Sequence, residues 1–293
     1  MVRSERMQST RGNHGRRSAL RTSPPKHYLV VSDFDQTLSF NDSGHVLAEL
    51  LGVHDFERKV AGLSRSNLVQ QGGELAYLIR HDPDFRGVRH EHLVETGRRV
   101  RMKAALPALV NFLEKGLDGY RFSFYVVSAA PRAVVVAALA GIVPPDHIYG
   151  TEFDHDPHTG EVRAITRVPA GYGKVAVLEE LEERLNVVTD RVIYVGDGSS
   201  DVHVMLHVNH GDGFTIAVSE NRQLSRIAKT KVISDNAFSV LVPVLHQVLR
   251  LRTSEIRELF EANGMVLHDW ERARTDRVMI LETPATLPMP AML

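Results

Sequence analysis

The sequence contains no cysteine. That absence removes disulfide frameworks, thiolate zinc sites and cysteine nucleophiles together. It holds one tryptophan in 293 residues. No run approaches the roughly 18–20 consecutive apolar residues that a membrane span requires, and the N-terminus shows no apolar h-region of secretory type. Neither sign of charge is in surplus: 35 Lys and Arg stand against 36 Asp and Glu, for a net charge of −1. No whole-molecule field therefore points to nucleic acid or membrane as a partner. The remaining composition, 43% hydrophobic and 24% charged, is that of an ordinary globular chain, long enough for one domain with a large insert or for two modest ones. A cytoplasmic protein is the expectation.

Residues 1–26 form a polar leader with Arg3, Arg6, Arg11, Arg16, Arg17, Arg21 and Lys26 against the single acid Glu5. Too few large apolar residues are present to offset the entropy of ordering, so disorder is expected. The same Arg-rich, acid-poor makeup also suits an organelle transit peptide or an arm for an acidic partner. Order is expected from His27. The apolar run Tyr28–Val31 does not alternate, which predicts a strand buried on both faces.

Residues 43–103 read as mainly helical, punctuated by Gly52, Gly62, Gly72-Gly73 and Asp82-Pro83. Beyond them the pattern predicts a helix over 104–115 and a strand at Phe122–Val127. A helix from Pro131 to Ala140, a short strand at His147–Tyr149 and a hairpin over 151–166 follow. The next elements are a helix at Lys174–Leu185, a strand at Arg191–Val195, a helix at Asp201–His207 and a strand at Phe214–Val218. A short strand at Val232-Ile233 and helices at Phe238–Leu251 and Ser254–Ala262 complete the series. Alternating strands and helices imply an α/β protein with a parallel sheet covered on both faces. The helical block 43–103 interrupts the alternation and is best placed as an inserted cap. The division is then 27–42 and 104–251 for the core, 43–103 for the cap, and 252–293 for a C-terminal helix and loose tail.

Four segments carry chemistry, each at the edge of the expected sheet. Asp33-Phe34-Asp35-Gln36-Thr37 follows the first strand, outside the carboxyl end where open α/β sheets bind ligands. Its two carboxylates at i and i+2 project to one side of an extended segment. An aspartate, ionised at pH 7, can attack phosphorus without a base to activate it. A second, with raised pKa, can serve as acid and then base. Ser128-Ala129-Ala130-Pro131 offers a hydroxyl and backbone N–H groups for a phosphate oxygen, or a helix N-cap serine. Lys174, after Gly171-Tyr172-Gly173, stands at a helix start, where the macrodipole favours acids; an anion to neutralise would explain it, as would solvation. Gly196-Asp197-Gly198-Ser199-Ser200-Asp201 ends another buried strand in carboxylates suited to Mg²⁺, with glycines that let the backbone approach a ligand. A helix cap is the plainer alternative there and at the first motif.

These four motifs, in this order, resemble the haloacid dehalogenase-like superfamily over about residues 28–250. The inserted helical block between the first two, with Ile148–Phe153 and Gly173-Lys174, is similar to the phosphoserine-phosphatase-like branch. The resemblance implies a three-layer Rossmann-like core and a Mg²⁺-dependent phosphomonoesterase acting on a small phosphorylated metabolite through an aspartyl-phosphate. It implies Asp33 as nucleophile and metal ligand, and Asp35 as general acid/base giving its carbonyl to the metal. Thr37, Ser128, Ala129 and Lys174 would bind the phosphoryl group or position the first loop. Asp197 would ligate the metal directly, and Asp201 would do so through water or would partner Lys174. A phosphotransferase or mutase on the same chemistry, or a regulatory binding protein on the same scaffold, are the alternative readings. Gln36 departs from the small residue common in the family at that position, and the block shows no clear carboxylate for recognising an amino acid, so phosphoserine is one candidate among several.

Other features carry less. His203, His207 and His210 have a spacing that zinc can use, but they lie on a helix leading away from the expected site. Arg98, Arg99, Arg101 and Lys103 read as a solvated face. Arg65, Arg80 and Arg86 are substrate-contact candidates by location alone.

Overall fold

The computed structural model describes residues 24–66 and 69–267. Residues 1–23 of the leader and 268–293 of the tail lie outside the described residues.

The first strand, β1 (Lys26–Ser32), starts one residue earlier than expected. Leu29, Val30 and Val31 are all buried and alternate between two separate hydrophobic clusters, as a strand packed on both faces requires. Between β1 and residue 103 lie α1 (Ser43–Leu51), α2 (Phe56–Ser66), α3 (Glu74–His81) and α4 (His90–Arg99). Asp42 caps α1 by accepting from the N–H groups of Gly44 and His45, and Gly52 closes the helix in the left-handed conformation. The two ends of this helical block meet as a short antiparallel ribbon. Phe40 N–H donates to the Arg101 carbonyl at 2.8 Å, Lys103 N–H donates to the Leu38 carbonyl at 2.9 Å, and Arg101 N–H donates to Asn41 Oδ1 at 3.0 Å.

The chain then alternates. Helix α5 (Leu106–Lys115) leads to β2 (Tyr120–Pro131), α6 (Arg132–Ala138), and the hairpin of β3 (Ile148–His155) and β4 (Val162–Arg167). Next come α7 (Tyr172–Leu185), β5 (Val192–Gly196), α8 (Val202–His210), β6 (Phe214–Ala217), α9 (Arg222–Ile227) and β7 (Thr230–Lys231). The seven strands form one sheet in the order β4-β3-β2-β1-β5-β6-β7, parallel except for the antiparallel edge pair β3/β4. On one face, Leu29, Val31, Val127 and Tyr194 pack with α7 and α8 through Val177, Leu181, Val204 and Val208. On the other, Val30, Phe124 and Ile193 share a core with α5 and α6. That same core runs on into Leu47, Ile79 and Leu93 of the inserted helices. The central position of β1 and β5 brings the first and fourth motifs side by side, with Asp33 N–H donating to the Val195 carbonyl at 2.9 Å.

Two expectations need correction. The strand placed at Val232-Ile233 lies two residues earlier, at β7; Val232 still donates to the Ala217 carbonyl, but Ile233 is exposed. The regular helix expected at Phe238–Leu251 is instead a 3₁₀ turn (Ala237–Val240), a short α10 (Leu241–Pro243) and a π turn (Val244–Val248). Pro243 is the physical reason. It has no N–H for the i→i−4 ladder, and its ring crowds the carbonyl four residues back. The ladder resumes in the wider register, with Leu249 N–H donating to the Val244 carbonyl at 3.0 Å. Helix α11 (Thr253–Ala262) ends the described elements.

The inserted block is tied to the core where α4 crosses α6. A Cβ on Gly97 would lie 2.2 Å from the Val134 carbonyl oxygen and 2.8 Å from the Ala137 Cβ. In an isolated helix, Ala is favoured over Gly by about 1 kcal/mol. Here Gly97→Ala is expected to destabilise the protein by about 1–3 kcal/mol through overpacking, measured as a lower urea midpoint. An unchanged or higher midpoint would show that the two helices are not held at this separation.

Candidate active site

The carboxyl ends of β1, β2 and β5 and the start of α7 deliver four motifs to one place. Asp33 follows β1 directly and is buried. Its Oδ1 accepts from the Phe34 N–H at 2.7 Å, and its Oδ2 lies 2.8 Å from Lys174 Nζ. Lys174 is fully buried, and its Nζ also donates to Asp201 Oδ1 at 2.7 Å. One ammonium thus bridges carboxylates that are 168 positions apart in the chain. This accounts for a lysine at a helix N-terminus: the anions it neutralises come from the sheet.

Asp201 is surrounded. Besides Lys174, its Oδ1 accepts from the Tyr194 hydroxyl at 2.7 Å, and its Oδ2 accepts from the N–H groups of Asp197 and Gly198, both at 3.0 Å. Of the two roles expected for Asp201, partner of Lys174 is the contact present. A Cβ on Gly196 would sit 2.4 Å from Asp201 Oδ2. Glycine at this position therefore makes room for a carboxylate of the same loop, where the sequence had suggested room for a ligand. Gly198 meets nothing within 4 Å.

Asp197 is half-buried and accepts from Thr37 Oγ1 at 3.2 Å. Asp33, Asp197 and Asp201 each offer a carboxylate oxygen within 4.8 Å of the others, the one such metal-competent group among the described residues. Burial pushes Asp33 up to about 7, with Lys174 pulling against it and Asp201 adding to it. Burial, then the charges of Asp33 and Asp201, push Asp197 up to about 8. Lys174 stays cationic in spite of burial, its pKa held above the ordinary lysine value by Asp201 and then Asp33. Three carboxylates with one ammonium leave an excess of buried negative charge. A hard divalent cation with oxygen ligands fits that imbalance, and the residues present suit it.

Asp35 sits at the side of the same cavity, which has a volume of about 550 Å³. Its Oδ1 accepts from the Ser43 N–H at 2.9 Å and its Oδ2 from the Ser43 hydroxyl at 2.8 Å. Burial, and then the charge of Asp42, raise its pKa well above the ordinary carboxylate value. Ser43 opens α1, so the inserted block itself grips this carboxyl group. Ser128, buried at the end of β2, also lines the cavity with Ala129. Its Oγ accepts from the Ala130 N–H at 3.1 Å and does not cap α6, which has no side-chain cap.

The structure therefore brings together Asp33, Asp35, Ser128, Ala129 and Asp197 around one cavity, with Thr37, Lys174 and Asp201 bonded directly behind them. Gln36 lines it too, exposed and in the left-handed backbone conformation. Arg65, Arg80 and Arg86 are exposed and do not line it. Ser43 and Tyr194 were not anticipated. Asn41-Asp42 before a helical block is a cap signal that could have drawn attention to Ser43, whereas Tyr194 reads as any strand hydrophobe. His203 stacks on Tyr172 with ring centroids 4.1 Å apart. Arg98 and Arg99 pair with Glu95, and Arg101 lies over Phe40. Lys103 is half-buried, and burial lowers its pKa against the nearby charges of Asp197 and Asp235. No helix among the described residues is long and apolar enough to cross a membrane.

The Rossmann-like sheet carries clustered aspartates at its carboxyl edge, and the sequence assigns such a chain to a class of hydrolases. The profile of the haloacid dehalogenase-like hydrolases matches residues 30–206, and the chain belongs to that family. Among solved structures, a substrate-bound phosphoserine phosphatase aligns with a TM-score of 0.60 at 16% identity, covering 74% of this chain and 97% of its own. A family hydrolase from Salmonella enterica serovar Typhi aligns at 0.60 and 16%, covering 75% and 70%. A probable phosphoserine phosphatase from Vibrio cholerae aligns at 0.57 and 17%, covering 79% and 70%. At these identities the likeness establishes the fold. No curated protein sequence matches the chain.

The raised carboxylates make stability depend on pH in a definite direction. A carboxyl whose folded pKa lies above its unfolded value of about 3.9 stabilises the fold at low pH. That contribution is lost as pH rises through the folded value, here about 7 for Asp33 and about 8 for Asp197. With chelator present, denaturant midpoints are expected to fall between pH 5 and pH 9, and to fall less in Asp197→Asn. Equal pH slopes in the two proteins would count against the buried-charge account.

Proposed function

We propose that this protein is a Mg²⁺-dependent phosphomonoesterase that hydrolyses a small phosphorylated metabolite through an aspartyl-phosphate on Asp33. One observation carries this reading: a buried carboxylate, Asp33, is held against a lysine ammonium and beside Asp197 at a cavity whose side presents a second carboxyl group of raised pKa.

In this mechanism an Asp33 carboxylate oxygen attacks phosphorus as the ester oxygen departs. Asp35, protonated because of burial and the charge of Asp42, gives its proton to the leaving alcohol. The resulting Asp35 carboxylate takes a proton from the water that attacks the aspartyl-phosphate, which releases inorganic phosphate and restores both groups. The Ser43 clamp fixes the orientation of Asp35 through both steps. Ser128, the Ala129 N–H and Lys174 hold phosphoryl oxygens, and Thr37 positions Asp197. Asp33, Asp197 and the Asp35 carbonyl would hold Mg²⁺, with Asp201 acting through Lys174 or water. The ion would neutralise charge on the phosphoryl oxygens. The helical block 43–103 acts as the cap that selects substrate, and a cysteine-free chain suits a cytoplasmic setting.

Phosphate release from p-nitrophenyl phosphate should require Mg²⁺ and stop with EDTA. Asp33→Asn should abolish turnover, and Asp35→Asn should slow it by about 10²- to 10⁴-fold. An Asp33→Asn enzyme of undiminished rate would refute the mechanism. Phosphorylated alcohol as the dominant product in the presence of added alcohols would favour a phosphotransferase over a hydrolase.

A further inference from the structure

Away from the phosphate end, the cavity wall is acidic and apolar. Asp42, Glu57 and Glu74 line it together with Phe56, Val60 and Leu75. No lysine or arginine lines the cavity among the described residues, and residues 67 and 68, outside them, are Asn and Leu. His45 is the lining residue closest to a cation, and its ring nitrogens already lie 3.2 Å from Glu57 and 3.6 Å from Asp42.

The three carboxylates differ in what they have left to give. Glu74 is buried and accepts from the Ser64 hydroxyl at 2.8 Å and the Gly72 N–H at 2.7 Å, both neutral donors. Asp42 uses its Oδ1 to cap α1, while its Oδ2 takes no hydrogen bond from the described residues. Glu57 meets His45 through Oε1 only. On two side chains that line the cavity, 37% exposed for Asp42 and 84% for Glu57, one carboxylate oxygen each is thus left without a Lys or Arg partner among the described residues. A substrate carboxylate placed there would face like charge with no guanidinium or ammonium to pair it. A substrate ammonium would find acceptors, with apolar surface alongside for its methylene groups.

Given the phosphomonoesterase reading, on which this rests, we propose that the preferred substrate is the phosphate ester of an amino alcohol: cationic at the far end and without a carboxylate.

The test is kcat/KM with Mg²⁺ for O-phosphoethanolamine, O-phosphoserine and glycerol phosphate. The first two differ only by the carboxylate; the third is neutral beyond its phosphate. The expected order is phosphoethanolamine, then glycerol phosphate, then phosphoserine, with about tenfold or more between first and last. Glu57→Lys, at a solvent-facing position, should compress that ratio roughly threefold or more. Equal rates, a lead for glycerol phosphate or phosphoserine, or an unchanged ratio in Glu57→Lys would overturn the substrate class. In each of those cases hydrolysis of p-nitrophenyl phosphate would leave the phosphatase reading standing. A protein that does not hydrolyse p-nitrophenyl phosphate either would overturn that reading and the substrate class with it.

Discussion

The contact on which the rest of the site depends is the buried bridge from Lys174 to Asp33 and Asp201. All three side chains are out of water, where isolated charges are untenable. Each is tolerable only because the others are there. Tyr194 and two backbone N–H groups complete the coordination of Asp201, so that carboxylate is a fixed anchor. Lys174 is pinned by the anchor and presents its remaining field to Asp33. The arrangement sets the position of Asp33 to within hydrogen-bond geometry, while leaving its charge only partly compensated. A carboxylate in that condition is both well aimed and in need of an electrophile or cation.

The sheet alone does not complete the site. Asp35 belongs to the loop after β1, but both of its oxygens are held by Ser43, the first residue of the inserted helices. Asp42, which helps raise the pKa of Asp35, is also the cap of that helix. The ribbon joining residues 38–41 to 101–103 and the close crossing of α4 on α6 hold this block to the sheet. The orientation and raised pKa of Asp35 are thus properties of the junction between the two parts.

Much of this was legible in the sequence because charge at the end of an apolar strand is conspicuous. Asp33, Asp35, Asp197 and Asp201 each stood directly after or near such a run, and Lys174 stood out as a cation on the wrong end of a helix. The strand order was not readable, but the alternation was, since residues such as Leu29, Val30 and Val31 are buried on opposite faces. What escaped notice depends on contacts between distant segments. Tyr194 is one more apolar-looking residue in a strand until its hydroxyl meets Asp201. Glu57 and Glu74 are ordinary surface acids of amphipathic helices until folding turns them toward one cavity. The helix expected at Phe238–Leu251 failed for a local reason: the apolar period there is helical, and Pro243 shifts its hydrogen-bond register without breaking the period.

The two ends of the cavity pose opposite electrostatic problems. At the sheet, negative charge is concentrated around one lysine; under the proposed function an arriving phosphate dianion would add to it, and a divalent cation would neutralise the sum. At the inserted helices, carboxylates are spread along an apolar wall with His45 but no lysine or arginine among the described lining residues, so the deficit is smaller and more exposed to water. A metal ion suits the first because it brings two charges and accepts a rigid oxygen cage. It does not suit the second, where Asp42 is committed to a helix cap and Glu74 to neutral donors. An organic ammonium, monovalent and attached to a flexible chain, answers the second problem with the geometry already present.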